Sequence, residues 1–188
     1  MMTVCFGLAT WGLGSLLAGT SALAGSATGG ASRGLVNPRV VVVKHQRVLH
    51  LFDGARLIKS YRIALGRCPV GDKVCQRDDR TPLGRFSVCS RNRSSLYHRF
   101  LGISYPNERA VRRGLVEGWL SLGQAQAIRT ALRRGRPPDW TTPLGGGIGL
   151  HGGGNDRDWT AGCIALTDEM IEELDAILRL GDPVEILP

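Results

Sequence analysis

The chain has 188 residues and a formal net charge of +8, from 24 Lys and Arg against 16 Asp and Glu. This length is enough for one domain with its own hydrophobic core. The positive charge is compatible with an acidic polymer as the binding partner. It is equally typical of a basic surface that only keeps the protein soluble. The sequence has no zinc-finger spacing, RNA-binding signature or basic repeat, so we expect no nucleic-acid partner.

The N-terminal residues have the pattern of an export signal. Residues 1–32 carry no charge, and the apolar stretch over 1–24 ends in Ala-Leu-Ala, which is typical of a cleavage site. The positively charged start is missing, so an uncleaved membrane anchor and a misassigned start codon are the alternatives. We expect an exported protein of the periplasm or cell envelope, with any membrane association confined to this segment. Residues 25–37, rich in Gly and Ser, predict a flexible linker.

The next part of the chain is expected to be β-structure. Apolar and β-branched runs bounded by turn residues predict strands near 39–44, 47–52, 57–65, 85–90 and 100–105. Asp53-Gly54 is a strong hairpin signal, and Pro106 ends the last of these runs.

Two helices are predicted in the C-terminal half. Ser121 and Gln124 form the pattern of a capping box at the start of a helix over 121–135. Thr167 is a candidate N-cap for a helix over 167–181, which has acidic residues in its first turn. A final short strand follows. We therefore predict a mostly β domain over residues 38–188 with about two short helices.

A histidine and a cysteine lie twelve residues apart in the glycine-rich segment "IGLHGGGNDRDWTAGCIALT". Cysteine becomes a strong nucleophile when a neighbouring base favours the thiolate, and histidine is the usual base. His151 ends one small-residue run and Cys163 begins the next, so two adjacent strands would bring both side chains to one end of a sheet. The amides of Gly162 and Cys163 would then offer an oxyanion hole. A buried, unreactive cysteine is the alternative.

Cysteine and histidine are also metal ligands, and cysteines form disulfides. The spacing supplies no further ligands for zinc, so we expect neither a metal nor a cofactor. In an oxidising compartment thiols tend to pair, and Cys163 must stay free to react. Cys68 with Cys75 is the first pairing that we expect, and Cys75 with Cys89 is the second.

The block "GIGLHGGGNDRDWTAGCIALTDEMIEEL" resembles the catalytic signature of L,D-transpeptidase domains of the YkuD type. The order of motifs in "IALGRCPVGDKVCQRDDRTPLGRFSVCSRNRSSLYHRFLGISYPN" is similar to the same family, and the resemblance covers about residues 38–188. It is closest to the branch whose motif reads Trp-Thr-x-Gly-Cys-Ile-Ala. The resemblance implies a β-sandwich or open barrel, with the stem tetrapeptides of peptidoglycan as substrate.

The resemblance also implies a role for each matching residue. Cys163 would be the nucleophile and His151 the general base, with the Gly162 backbone in the oxyanion hole. A carbonyl at Gly152 or Gly153 would orient the imidazole. The implied substrate contacts are Tyr97, His98, Trp159 and Thr160.

Three features depart from the family pattern, and one is the pair of cysteines Cys68 and Cys75, which the general pattern does not include. Ala161 stands where many members have a second histidine, so His151 must supply all the imidazole chemistry. Ala165 replaces an Arg or Asn, which removes one substrate contact and leaves the donor preference open.

The implied reaction is L,D-transpeptidation through a thioester, with a second stem or a wall-anchored protein as acyl acceptor. An L,D-carboxypeptidase or endopeptidase that uses the same pair, and a non-catalytic wall-binding module, are the alternatives.

Overall fold

The computed structural model of the protein describes residues 34–188. The expected signal or anchor over 1–24 and most of the linker over 25–37 lie outside the described residues and stay predictions. Within residues 34–188, no helix has the length and apolar character needed to cross a bilayer.

The described residues form a mostly β fold, as the sequence predicts. The strands are β1 (Pro38–Val43), β2 (Val48–Asp53), β3 (Arg56–Arg62), β4 (Gly84–Ser95), β5 (His98–Ile103), β6 (Gly149–His151), β7 (Ile164–Ala165) and β8 (Pro183–Leu187). The helices are α1 (Glu108–Val116), α2 (Leu122–Arg133) and α3 (Asp168–Ile177), and a short 3-10 turn (Lys44–Gln46) joins β1 to β2.

All the strands belong to one curled sheet in the order β3-β2-β1-β8-β4-β5-β6-β7. The C-terminal strand β8 lies in the interior of this order, parallel to β1 and antiparallel to β4. Its side chains alternate, with Val184 and Ile186 buried between exposed or half-buried neighbours. That alternation puts the apolar side of β8 in the core, because successive side chains of a strand point to opposite faces.

The two ends of the curled sheet meet beside β7. Ala64, just after β3, exchanges two backbone hydrogen bonds with Ala165, at 2.9 and 2.8 Å. Gly66 and Thr160 form a second bridge. A Cβ on Gly66 would lie 2.1 Å from the Asp79 carbonyl oxygen, so only glycine permits this approach. These bridges turn the sheet into the open barrel that the resemblance implies.

The two predicted helices are present, and a third was missed. Ser121 and Gln124 form the full capping box at the start of α2, and Thr167 caps α3. Helix α1 follows Asn107, whose side chain accepts a hydrogen bond from the Ala110 amide at 3.1 Å. Many residues of α1 are charged, and its buried face is small, with Gly114 packed against two leucines. The apolar pattern was therefore too weak to predict the helix.

Neither expected disulfide is present, because Cys68, Cys75, Cys89 and Cys163 are all free thiols. The loop that carries the first two cysteines is fixed by Asp78 instead. The Asp78 carboxylate binds Lys73 Nζ at 2.7 Å and accepts three backbone amide hydrogen bonds, from Val74, Cys75 and Arg80. Cys89 is buried in β4, away from solvent.

Candidate active site

The pairing of β6 with β7 sets the relative position of the histidine and the cysteine. The two strands are parallel, with Leu150 opposite Ile164 and His151 opposite Ala165. Cys163 directly precedes β7 and therefore falls beside Gly149. Residues two apart on a strand share a face, so the side chains of Cys163 and His151 lie on the same face. Both line one cavity of about 400 Å³.

The hairpin between β4 and β5 forms another wall of this cavity. The hairpin residues that line the cavity are Asn92, Ser94, Ser95, Leu96, Tyr97 and Phe100. Leu96 at the tip is 99% exposed. An exposed apolar side chain at the mouth of this cavity is suited to contact a ligand as it enters.

His151 is buried and held in one tautomer. Its Nδ1 lies 2.7 Å from the Gly152 carbonyl oxygen. Because that oxygen only accepts, Nδ1 carries the proton and Nε2 is left as a hydrogen-bond acceptor. Burial lowers the pKa of His151, and the bond to Gly152 only partly opposes this. The imidazole is therefore neutral at neutral pH and able to take a proton.

The turn after His151 is fixed by two further contacts. The Gly152 amide donates to the Tyr97 carbonyl at 3.0 Å, and the Gly153 amide donates to Asp168 Oδ1 at 2.8 Å. A Cβ on Gly152 would lie 2.2 Å from that carboxylate oxygen. Sequence reasoning assigned the acids at the start of α3 to helix stabilisation and missed this contact.

Two aromatic rings enclose the imidazole. Tyr97 stacks on His151 with ring centroids 4.8 Å apart, and Trp159 meets it edge-on at 5.5 Å. Trp159 Nε1 donates to the Gly154 carbonyl at 3.1 Å, which ties the ring to the loop after the histidine. The rings exclude water from around His151, consistent with its lowered pKa.

Cys163 is half-buried, and its thiol donates to the Gly147 carbonyl at 3.4 Å. Burial raises the pKa of Cys163 to about 11, and the Gly149 amide and the charge of Lys73 act in the opposite direction. The cysteine and the histidine are therefore both neutral at rest. Burial therefore favours the neutral pair over a thiolate–imidazolium ion pair.

The turn before Cys163 is organised by Thr160. The buried Thr160 hydroxyl donates to the Cys163 carbonyl at 2.7 Å and accepts from the Gly162 amide at 3.1 Å. Gly162 has φ +130°, and a Cβ there would lie 2.7 Å from the Arg80 carbonyl oxygen.

This geometry bears on two expectations about the turn. The Gly162 amide, expected in the oxyanion hole, donates to the Thr160 hydroxyl, whereas the Cys163 amide has no acceptor among residues 34–188. The Thr160 hydroxyl holds the turn, and its contact with substrate stays a prediction.

Among the expected substrate contacts, Tyr97 lines the cavity, whereas His98 and Trp159 do not. The imidazole Nε2 of His98 lies 2.8 Å from Glu172 on α3, which favours a structural role. Asp158 binds Arg47 through both carboxylate oxygens and accepts the Leu65 amide at 2.8 Å, so it anchors the loop. Among residues 34–188, no three His, Cys, Asp or Glu side chains are grouped to hold a metal ion.

Residues 37–186 match the family model of the YkuD L,D-transpeptidase catalytic domain. No curated protein sequence matches the chain. Among solved structures, Bd1075 from Bdellovibrio bacteriovorus is 22% identical with a TM-score of 0.53, over 80% of this chain and 48% of Bd1075. The helical cell shape determining protein Pgp2 from Campylobacter jejuni is 21% identical with a TM-score of 0.53, over 80% of this chain and 47% of Pgp2.

An L,D-transpeptidase from Xylanimonas cellulosilytica is 13% identical with a TM-score of 0.47, over 82% of this chain and 62% of that one. The chain thus spans about half the length of Bd1075 and Pgp2. The likeness to Bd1075 and Pgp2 shows a shared fold alone, and the family match extends over most of the chain. The protein therefore belongs to the YkuD family of L,D-transpeptidase catalytic domains.

Proposed function

We propose that the protein is an exported, cysteine-dependent L,D-transpeptidase that acts on peptidoglycan stem tetrapeptides in the cell envelope. The observation that carries this proposal is the shared cavity, into which both the Cys163 thiol and the His151 imidazole open. The tautomer of His151, with Nδ1 bonded to Gly152, supports its role as the general base.

The first half-reaction forms a thioester. Cys163 Sγ attacks the carbonyl carbon that joins the third, diamino acid residue to D-alanine, and the thiol proton passes to His151 Nε2. The Cys163 amide donates to the developing oxyanion. As the tetrahedral intermediate collapses, the C–N bond breaks and His151 returns the proton to the amine of the departing D-alanine.

The second half-reaction transfers the acyl group. An amine from a second stem, or from a wall-anchored protein, attacks the thioester carbon and gives a proton to His151 Nε2. The C–S bond then breaks, a new amide remains, and the thiolate regains its proton from His151. Because both groups return to their neutral resting forms, the cycle needs no external proton source.

The test uses purified tetrapeptide muropeptides and intact-protein mass spectrometry. The unaltered protein should gain the mass of the acyl group, and Cys163→Ala should gain none. Cys68→Ala, which removes an exposed thiol, is the matched control and should behave as the unaltered protein. Cross-linked dimers formed by Cys163→Ala would refute the nucleophile.

The products distinguish the alternatives. Cross-linked dimers indicate transfer, whereas tripeptide monomers without dimers indicate an L,D-carboxypeptidase. Binding to sacculi without any adduct on Cys163 would indicate a non-catalytic wall-binding module.

A further inference from the structure

A second cavity, of about 440 Å³, lies near the turn that carries the nucleophile. It is lined by Arg67, Lys73, Arg77, Asp79, Gly146 and Ala161, among others, and is called the basic cavity below. Two segments connect it to the reactive sulfur. Ala161 is two residues before Cys163, and Gly146 directly precedes Gly147, whose carbonyl contacts Cys163 Sγ. The charge of Lys73 also acts on the Cys163 thiol.

The lining of the basic cavity carries an excess of positive charge. Three cationic side chains face one carboxylate, that of Asp79. Lys73 is buried and paired with Asp78 at 2.7 Å, so its charge is largely neutralised. Arg67 Nε binds Asp79 at 2.8 Å and one of its terminal nitrogens donates to the Trp159 carbonyl, which leaves further donors of the guanidinium for a ligand.

Arg77 is the unpaired cation of the group. It is exposed, and within residues 34–188 its guanidinium has no ion-pair partner. Its backbone has φ +66°, and Asp79 has φ +53°, in the left-handed region that non-glycine residues rarely adopt. Such conformations persist only where the surroundings fix them, so Arg77 is presented on a rigid loop.

The loop that presents Arg77 is also attached to the active site. The Gln76 amide donates to the Pro143 carbonyl at 2.8 Å. The Asp79 and Arg80 carbonyls pack directly against Gly66 and Gly162. The backbone that carries Arg77 is therefore held in place relative to the turn before Cys163.

We infer that the basic cavity is a carboxylate-binding subsite of the active site, in which Arg77, assisted by Arg67, binds a carboxylate of the stem peptide. This inference rests on the proposed function for the identity of the peptide. A guanidinium suits a carboxylate because it offers parallel N–H donors. The stem tetrapeptide offers two sources, the terminal carboxylate of D-alanine and the internal carboxylates.

The experiment measures dissociation constants by calorimetry in the Cys163→Ala background, so that binding is measured whether or not the chemistry proceeds. Three peptides are compared: the tetrapeptide, its analogue with a terminal carboxamide, and its analogue with the internal carboxylates amidated. Arg77→Gln is compared with Arg134→Gln, a matched loss of charge at the C-terminal end of α2. Thermal unfolding midpoints of both variants check that the fold is kept.

Arg77→Gln should weaken binding of the tetrapeptide about tenfold, the effect expected for one charge-assisted hydrogen bond. Arg134→Gln should change it less than twofold. One of the two analogues lacks the carboxylate that Arg77 recognises. The Cys163→Ala protein with and without Arg77→Gln should bind that analogue with equal affinity, which identifies the carboxylate that Arg77 binds. Equal binding of the tetrapeptide by Arg77→Gln and Arg134→Gln would overturn the inference.

Two further outcomes would also overturn the inference: a loss at Arg77→Gln that persists on both analogues, and no measurable binding of any peptide. The proposed function is judged separately, by the Cys163 adduct of the unaltered protein. An adduct without a carboxylate effect would therefore reject the subsite alone, and a carboxylate effect without an adduct would reject the chemistry alone.

Discussion

The phenol ring of Tyr97 lies against the imidazole of His151, with centroids 4.8 Å apart and ring planes inclined by 30°. Tyr97 belongs to the tip of the β4–β5 hairpin, and its carbonyl also accepts the Gly152 amide at 3.0 Å. One residue thus supports the proposed base through both its ring and its backbone. The hairpin tip and the imidazole are therefore expected to move together.

Replacing Tyr97 tests the contribution of the ring. Tyr97→Ala removes the stack but keeps the backbone contact, and Tyr97→Phe keeps both. An aromatic pair contributes about 0.5–1.5 kcal/mol, so kcat/KM for thioester formation should fall about two- to twelvefold in the alanine variant. The phenylalanine variant should stay within twofold. A similar loss in both variants would mean that the hydroxyl acts rather than the ring.

Asp168 is expected to position His151 from the first turn of α3. Its carboxylate accepts the Gly153 amide at 2.8 Å and so holds the turn whose carbonyl orients the imidazole. Asp168→Ala should lower kcat about ten- to a hundredfold with little change in KM, because a charge-assisted hydrogen bond contributes about 1.5–3 kcal/mol. Asp168→Asn keeps an acceptor oxygen and should restore most of the rate. A normal kcat in the alanine variant would remove Asp168 from this role.

Alanine substitutions at Gly162 and Gly154 test the tight packing next to the nucleophile, with Gly154 as the control position. Both have positive φ, +130° and +103°, but a Cβ on Gly162 would meet the Arg80 carbonyl oxygen at 2.7 Å, whereas one on Gly154 would meet nothing within 4 Å. Each alanine variant carries backbone strain of about 1–3 kcal/mol, and only Gly162→Ala adds a clash. Its melting temperature should be the lower of the two, and it should lose activity more completely. Equal melting temperatures would contradict the packing argument.

Because Cys163 and His151 are neutral at rest, the rate at which the Cys163 thiol is alkylated should depend on pH. Burial raises the pKa of Cys163 to about 11, so its alkylation by iodoacetamide should be slow at neutral pH. The rate should rise about tenfold per pH unit towards that value, because the thiolate is the nucleophile. The exposed Cys68 in the same digest monitors reagent quality. A rate that is already constant at pH 7 would indicate a thiolate–imidazolium pair instead.

Acylation by substrate should have a different pH profile. His151 accepts the thiol proton only when it is neutral, and burial lowers its pKa. The rate of thioester formation should therefore stay high at pH 7 and decline only as the pH falls through that lowered pKa. Quench-flow mass measurements of the Cys163 adduct between pH 4 and 8 would follow this decline, at roughly the interval where an ordinary histidine titrates or below it. A decline that begins above pH 7 would contradict the neutral imidazole.

The parts of the fold that could be predicted are those whose signals lie within a few residues of one another in the sequence. The Ser121–Gln124 capping box is visible in the sequence and is present in α2, since its two partners are three residues apart. Helix α1 was missed because its buried face is made of small residues among arginines and is completed by Leu120 and Leu144. Leu144 lies far along the chain from α1, so a local sequence window does not contain it.

At the candidate site, too, local features could be predicted and contacts between distant residues could not. The cysteine and the histidine were expected together from one segment, and the register of β6 and β7 brings them to one face. The contact between Gly153 and Asp168 could not be predicted, because it depends on where α3 begins in space. The engagement of the Gly162 amide by Thr160 was hidden for another reason: a buried hydroxyl competes with a ligand for the same donor, and that depends on its rotamer.

The junction where Ala64 meets Ala165 joins parts of the chain that are synthesised far apart in time. Gly66, near this junction, packs against Gly162 beside the nucleophile, so the turn that holds the sulfur depends on contacts from both ends of the sheet. Two segments that are distant in the sequence therefore share the support of a single reactive atom.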